Sequence, residues 1–130
     1  MKYSNVIAIY IKNELNQVLV QFHNKHQFWT IPVGYVESGE NIVEGFKREA
    51  FEELGIIVKK YKLIKTYKNY YDYSGPEEVT SYMFEVLEYS GTIENLEPHK
   101  HSELKFVHIN ELKNMSPVSD AVKNLLIEYV

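Results

Sequence analysis

Three glutamates crowd one short stretch of the chain, the segment REAFEEL at residues 48–54. If this segment is helical, each residue advances by about 100°, so Glu49, Glu52 and Glu53 lie beside the apolar face that contains Phe46. Acidic side chains on a helix usually face solvent, but Glu49 and Glu53 fall at the border of the buried face. Carboxylates held this close repel one another unless they share a cation. Clustered oxygen donors of this kind suit Mg²⁺ or Mn²⁺.

The helix that carries these glutamates can be bounded from its ends. Asn41 followed three residues later by Glu44 has the pattern of a capping box, which begins a helix. Leu54 followed by Gly55 is a typical helix end, because glycine readily adopts the left-handed conformation found there. The sequence therefore predicts a helix from about Asn41 to Leu54, preceded by a loop.

Strand-like runs surround this loop and helix. Two β-branched runs, SNVIAIYIK and QVLVQFH, are separated by the turn-forming NELN and predict a hairpin. We expect a short strand in FWTIPV, two long strands in IIVKKYKLIKTYKNYY and EVTSYMFEVLEY, and a last strand in LKFVHI. The amphipathic SDAVKNLLIEYV predicts a C-terminal helix. Strands that bracket two helices predict an α/β fold, an α/β/α sandwich around a mixed β-sheet.

Length and composition bound the classes of protein that are possible. The chain has 130 residues, 45% of them hydrophobic and 25% charged, which predicts a single folded domain over residues 1–130. It contains no cysteine, so disulfides and thiolate chemistry are excluded. A net charge of −4 argues against binding to a nucleic-acid polymer or an anionic membrane. The N-terminal apolar run is too short to span a membrane, and we expect a cytoplasmic protein.

The glutamate segment is part of a longer pattern. Gly34 is followed after five residues by Glu40, and after seven more by REAFEELGI. This spacing resembles the complete signature of the Nudix hydrolases. Seven fixed identities at a background of roughly 6% each make a chance match on the order of 10⁻⁹ per starting position. The elements around the signature also follow the order typical of the family, so the resemblance covers most of the chain. It implies a Nudix fold with a loop–helix catalytic motif.

The resemblance implies a chemistry for the clustered acids. In Nudix hydrolases the corresponding carboxylates, here Glu49, Glu52 and Glu53, hold one to three divalent cations that bridge a substrate diphosphate. Such a cation makes water a better nucleophile at neutral pH and neutralises charge that develops on phosphoryl oxygens. The implied cofactor is therefore Mg²⁺ or Mn²⁺.

Other signature positions have supporting roles by the same resemblance. Arg48 resembles the arginine that forms salt bridges with the glutamates and orients them, and Glu40 resembles the glutamate that braces the loop. Gly34 and Gly55 are expected to serve the backbone geometry of the loop and of the helix end. Val33 stands where many members have glycine. Its backbone carbonyl is expected to contact the metal, which any side chain permits.

The catalytic base is left open by the sequence, between one of the signature glutamates, Glu97, Glu103 and His101. Many family members supply an extra acid from the loop before the last sheet strand, about five residues ahead of an aromatic residue of that strand. With Phe106 as the aromatic, this position is His101, and Glu97 and Glu103 are nearby substitutes. His101 could serve at neutral pH, although HKHSE is typical of a solvated loop. Glu97 and His101 are also candidates for contact with the substrate.

The expected substrate is a nucleoside diphosphate linked to another group, bound as a small molecule by a monomer or homodimer. NLEPHK, residues 95–100, resembles a segment of the MutT-like enzymes, so we expect cleavage of a nucleoside triphosphate to monophosphate and pyrophosphate. A dinucleoside polyphosphate is the runner-up, because Tyr73 lies seventeen residues after Ile56, a spacing typical of that subfamily. The alternative class is a non-catalytic binding module on the same fold. Such modules typically lose signature glutamates, and this chain retains them.

Overall fold

The elements of the fold are strands interrupted by a long central helix and closed by two short helices. The computed structural model describes residues 5–71 and 77–128 of the protein. In chain order the elements are β1 (Asn5–Tyr10), β2 (Gln17–His23), β3 (Phe28–Thr30), β4 (Val33–Tyr35), α1 (Ile42–Leu54), β5 (Ile57–Tyr71), β6 (Glu77–Ser90), β7 (His101–His108), α2 (Ile109–Leu112) and α3 (Asp120–Ile127).

The strands divide between two sheets. The first sheet has the order β4-β1-β6-β5, in which β1 and β6 run parallel and the other neighbours run antiparallel. The second sheet is antiparallel, in the order β3-β2-β7. The predicted mixed α/β class is confirmed, with an antiparallel sheet beside the mixed one.

The predicted hairpin of β1 and β2 forms only at its turn. Lys12 bridges Val18, and Asn13 Oδ1 accepts hydrogen bonds from the backbone N–H groups of Leu15 and Gln17, both at 3.0 Å. Beyond the turn, β1 is flanked by β4 and β6, so no edge remains for β2, which pairs with β3 and β7. The segment from β1 to β2 therefore links the two sheets.

The run FWTIPV also forms two strands rather than one. It breaks at Ile31–Pro32, and β3 lies in the second sheet while β4 lies in the first. Proline has no N–H to donate to a ladder, but its carbonyl accepts a hydrogen bond from the N–H of Ile9 at 2.8 Å. This crossing places Gly34 opposite Ile7 in the first sheet.

Helix α1 has the predicted ends. The Asn41 side chain accepts from the Glu44 N–H at 2.8 Å, and the Glu44 side chain accepts from the Asn41 N–H at 3.0 Å, which completes the capping box. Gly55 ends the helix with φ +74°, in the left-handed region that favours glycine. One face of the helix is buried through Phe46, whose ring stacks on Phe84 with centroids 4.4 Å apart.

Two apolar cores lie on opposite faces of β1. Ile7 and Ile9 contribute to the core that contains the buried face of α1, whereas Ala8 and Tyr10 contribute to the core that contains α3. Successive strand residues point to opposite faces of a sheet. The first sheet is therefore enclosed between α1 and α3, as the predicted sandwich requires.

The last third of the chain differs from the prediction in detail. Strand β7 begins at His101, three residues before the predicted start at Leu104, and the short helix α2 follows it directly. The predicted C-terminal helix is present as α3, capped by the Ser119 side chain. Within residues 5–71 and 77–128, no helix is long and apolar enough to cross a membrane.

Candidate active site

A cleft of about 650 Å³ is open to solvent. Its walls come from Val6 and from four segments that are distant in sequence, within residues 23–28, 33–37, 48–53 and 97–101. The lining includes the carboxylates of Glu49, Glu52, Glu53 and Glu97. It also includes four histidines, His23, His26, His99 and His101, together with Lys25 and Lys100. The cleft therefore brings acidic side chains close to imidazole and lysine side chains.

Arg48 joins the acidic residues into one network. Its guanidinium makes five hydrogen bonds: Nε to Glu40 Oε2 (2.7 Å), Nη2 to Glu40 Oε1 (3.1 Å) and to the Tyr35 carbonyl (2.9 Å), and Nη1 to one oxygen each of Glu49 and Glu52 (both 3.0 Å). A guanidinium has five N–H donors, so all of them are used. The pKa of Arg48 is raised, mainly by its hydrogen bonds to Glu40. The arginine thus fixes the positions of three carboxylates.

Glu40 lies behind the cleft and holds the loop before α1. Its Oε1 accepts from the Glu37 N–H at 2.9 Å, and its hydrogen bond from Arg48 lowers its pKa. Gly45 faces it from α1, where a Cβ would lie 3.0 Å from Glu40 Oε1 and 3.2 Å from Val36 Cγ2. Gly45 was not among the residues predicted from the sequence. The sequence feature that could have indicated its role is a glycine inside a helix. Such a glycine costs about 1 kcal/mol relative to alanine, so its presence there usually reflects a packing or functional requirement.

Gly34 is required for space. It lies in β4, its φ is not positive, and a Cβ added to it would overlap the carboxyl group of Glu49. The expectation that Gly34 serves the backbone geometry of the loop is therefore wrong, because the residue lies in a strand and its φ is not positive. The absence of a side chain lets the Glu49 carboxylate pack directly against the strand.

The three signature glutamates differ in burial. The Glu49 side chain is 15% exposed and the Glu52 side chain 52% exposed, whereas Glu53 as a whole is 5% exposed. Burial raises the pKa of Glu49 and raises that of Glu53 well above its usual range, and the negative charges of Glu49 and Glu97 add to the shift of Glu53. The carboxylates are thus graded from the exposed end of the cleft to its buried end.

The buried end of the cleft fits a cation. Glu53 Oε2 is buried and has no hydrogen-bond partner among the residues that the structure describes. A buried polar atom without a partner is costly, and a carboxylate more so. Ligand atoms of Glu53, Glu97 and His101 all lie within 4.8 Å of one another. This donor set and the orphaned oxygen suit a divalent cation.

Glu97 is held next to Glu53 by backbone hydrogen bonds. The N–H groups of Glu94 and Leu96 donate to the carbonyls of Leu54 (3.0 Å) and Glu53 (3.1 Å), which ties the loop of residues 91–100 to the end of α1. The Glu97 carboxylate forms an ion pair with Lys100 at 3.2 Å. Glu97, one of the two nearby substitutes for the extra acid, therefore lies in the cleft.

His101 is not in a solvated loop, contrary to the expectation. It is the first residue of β7, is 4% exposed, and its Nε2 lies 2.9 Å from the Gln21 side-chain nitrogen. Burial lowers its pKa to about 4, so the imidazole is neutral at neutral pH. Glu103, the other alternative, is exposed and pairs with Phe22 in the second sheet, outside the cleft.

Three further histidines, His23, His26 and His99, line the cleft. The His23 and His26 rings are 4.6 Å apart, and His23 packs edge-on against His101 at 5.3 Å. The sequence feature that could have indicated the proximity of His23 and His26 is their spacing of three residues at the end of β2. Val33 also lines the cleft, and Gly55 acts only as the helix end. Tyr73, whose spacing after the signature made the dinucleoside polyphosphate the runner-up, lies outside the described residues.

The chain resembles proteins of known family over nearly its whole length. A family model described as the NUDIX domain matches residues 1–126. An 8-oxo-dGTP diphosphatase of Buchnera aphidicola subsp. Schizaphis graminum is 28% identical over 96% of this chain and 95% of the relative. An asymmetrical bis(5'-nucleosyl)-tetraphosphatase of Sus scrofa is 27% identical over 79% of this chain and 71% of the relative. A MutT NUDIX hydrolase structure from Burkholderia pseudomallei has a TM-score of 0.87 at 20% identity and covers 100% of both chains, which shows the shared fold.

Proposed function

This chain belongs to the Nudix family, and we propose that it cleaves a nucleoside triphosphate to the monophosphate and pyrophosphate with the help of Mg²⁺ or Mn²⁺. Family membership and the named diphosphatase relative make it a hydrolase that acts on phosphoric anhydride bonds.

The observation that carries the proposal is the orphaned oxygen of Glu53. This carboxylate is 5% exposed and faces Glu97 in a cleft that also contains Glu49. Ionising it there without a positive partner is unfavourable, because burial and two negative neighbours oppose its charge. A divalent cation removes that penalty, so the arrangement supports a site that is completed by metal.

The residues of the cleft have different proposed roles. We assign Glu49, Glu52 and Glu53 to hold the cation, with the Val33 carbonyl beside them. Arg48 orients the carboxylates through the bonds described above, and Glu40 holds Arg48 and the preceding loop. A bound divalent cation would make water a stronger nucleophile at neutral pH and neutralise charge on the phosphoryl oxygens.

The cleft also contains groups that suit the phosphates of a substrate. Lys25 and Lys100 bring positive charge to it, and His23 and His26 bring ring nitrogens. Cations and hydrogen-bond donors recognise phosphate oxygens.

The relatives favour the triphosphate over the dinucleoside polyphosphate. The diphosphatase relative and this chain cover one another almost completely, whereas the tetraphosphatase relative aligns over about three quarters of each chain. The dinucleoside polyphosphate stays the second candidate, because that relative and the spacing of Tyr73 both point to it.

A panel of substrates tests the proposal. Canonical and oxidised nucleoside triphosphates, a dinucleoside tetraphosphate and ADP-ribose are incubated with enzyme and Mg²⁺, and the products are resolved by chromatography. We expect the highest kcat/KM for a triphosphate. A kcat/KM for the dinucleoside tetraphosphate tenfold above every triphosphate, about 1.4 kcal/mol of transition-state preference, would replace the first candidate by the second.

A further inference from the structure

An imidazole lies among the donors at the buried end of the cleft. Ligand atoms of Glu53, Glu97 and His101 lie within 4.8 Å of one another. The three residues come from α1, from the loop of residues 91–100 and from the start of β7. Two carboxylates and one ring nitrogen thus converge from three directions.

The trio is held in place by the backbone. The Leu96 N–H donates to the Glu53 carbonyl at 3.1 Å, and the His101 N–H donates to the Glu97 carbonyl at 3.0 Å. Asn95 reinforces the link, because its side-chain nitrogen donates to the His101 carbonyl at 2.8 Å. The three donors therefore keep their separation without a ligand.

The ring of His101 is held in contact with the Gln21 side chain. The Gln21 amide lies 2.9 Å from Nε2, and both side chains are buried. An amide can present its nitrogen or, after a flip of 180°, its oxygen. The orientation of the Gln21 amide decides which ring nitrogen of His101 carries the proton, and the ring nitrogen without the proton is the one that can bind a cation. A hydrogen bond to the other ring nitrogen is the usual way in which a protein orients a histidine ligand.

We propose that His101 is a direct ligand of the divalent cation and that, together with Glu53 and Glu97, it makes this site prefer a first-row transition cation over Mg²⁺. Imidazole nitrogen is a favourable donor for transition cations, whereas Mg²⁺ prefers oxygen donors and keeps several waters. The orphaned Oε2 of Glu53 supplies an independent sign that the trio is completed by a ligand. The inference rests on the proposed function, since it names a ligand and a preference of the same metal site.

The test is spectroscopic. Pulsed electron paramagnetic resonance of the protein loaded with one equivalent of Mn²⁺ detects ¹⁴N nuclei that are directly coordinated to the ion. We expect an imidazole ¹⁴N coupling in the wild type, its loss in His101→Gln, and its retention in His26→Gln, which removes a neighbouring imidazole outside the trio. We also expect His101→Gln to weaken Mn²⁺ binding about tenfold and Mg²⁺ binding less than threefold, measured by calorimetry.

The outcomes separate the inference from the proposed function. Mn²⁺ that binds without ¹⁴N coupling in the wild type overturns the role of His101, while a cation held by carboxylates and the proposed hydrolysis both stand. An equal loss of Mn²⁺ and Mg²⁺ affinity in His101→Gln overturns the preference. Absence of binding of either ion to the folded wild type overturns the inference and the metal site of the proposed function together. Because the decisive spectrum is that of the wild type, it does not depend on whether the variant folds.

Discussion

The carboxyl group of Glu49 packs so closely on Gly34 that a Cβ on that glycine would overlap it. Glu49 belongs to α1 and Gly34 to β4, and Arg48 holds the same carboxylate from the other side at 3.0 Å. The position of this acid is thus fixed by a missing side chain on one side and by a guanidinium on the other.

The variant Gly34→Ala tests the contact with Glu49. Because φ at Gly34 is not positive, alanine is compatible with the backbone, and the melting temperature should change by only a few degrees. The Glu49 carboxylate must shift, and we expect kcat/KM to fall by about 10²-fold, as for a misplaced catalytic group. The control is a double-mutant cycle with Glu49→Ala. If Gly34→Ala lowers activity equally in that background, the effect does not pass through Glu49.

Arg48→Lys tests the guanidinium network. Lysine keeps the charge but offers one nitrogen in place of the planar five-donor group, so it cannot hold Glu40, Glu49 and Glu52 together. We expect a loss of about 1–2 kcal/mol of stability, allowing for partial exposure, and a fall in kcat of about tenfold or more. The matched control is Lys47→Arg at the neighbouring exposed position, which should change neither quantity. Wild-type activity in Arg48→Lys would show that charge alone suffices.

The pH dependence of stability without metal tests the burial of Glu53. Burial raises its pKa in the folded state well above 4.5, so the folded protein holds this proton to a higher pH than the unfolded chain. The proton on Glu53 therefore contributes to the free energy of unfolding. This contribution is complete below about pH 4.5 and is lost as the pH rises through the pKa of Glu53 in the folded state. Glu53→Gln should therefore become progressively more stable than the wild type between pH 4.5 and 8 in EDTA, measured by urea unfolding. Glu52→Gln, at a side chain that is 52% exposed, is the control, and a pH-independent difference for Glu53→Gln would contradict the account.

Metal binding should stabilise the native state. A cation at ten times its dissociation constant adds about 1.4 kcal/mol by mass action, and the melting temperature should rise accordingly across a titration with Mg²⁺ or Mn²⁺. Glu49→Gln should reduce the shift, because one carboxylate is lost from the cleft. An unchanged melting curve up to millimolar metal would mean that the folded protein has no preformed site.

Local patterns predicted the parts of the site that depend on local structure. The capping box of Asn41 and Glu44 and the left-handed Gly55 are determined by residues close in sequence, and α1 has the predicted ends. The grouping of Glu49, Glu52 and Glu53 follows from helical spacing once the helix is known. These features could be placed before the fold was described.

The remaining features depend on residues that are distant in sequence. His101 is buried through Gln21, 80 residues away, and through His23, so its polar neighbours in HKHSE gave no sign of it. The hairpin of β1 and β2 was expected to continue along both strands. The sequence does not reveal that β4 and β6 occupy the two edges of β1 and leave no edge for β2. The reason for Gly34 likewise lies in a carboxylate fifteen positions further along the chain.

The central claim, metal-dependent cleavage of a nucleoside triphosphate, is tested most directly by the products that one triphosphate yields with and without metal. Purified protein is incubated with its best triphosphate in Mg²⁺ or in excess EDTA, and monophosphate, diphosphate, pyrophosphate and phosphate are quantified by chromatography. The account predicts equal amounts of monophosphate and pyrophosphate with Mg²⁺, and a fall of about 10²-fold or more both in EDTA and in Glu53→Gln with Mg²⁺. Undiminished turnover in EDTA, or diphosphate and phosphate as the products, would contradict it.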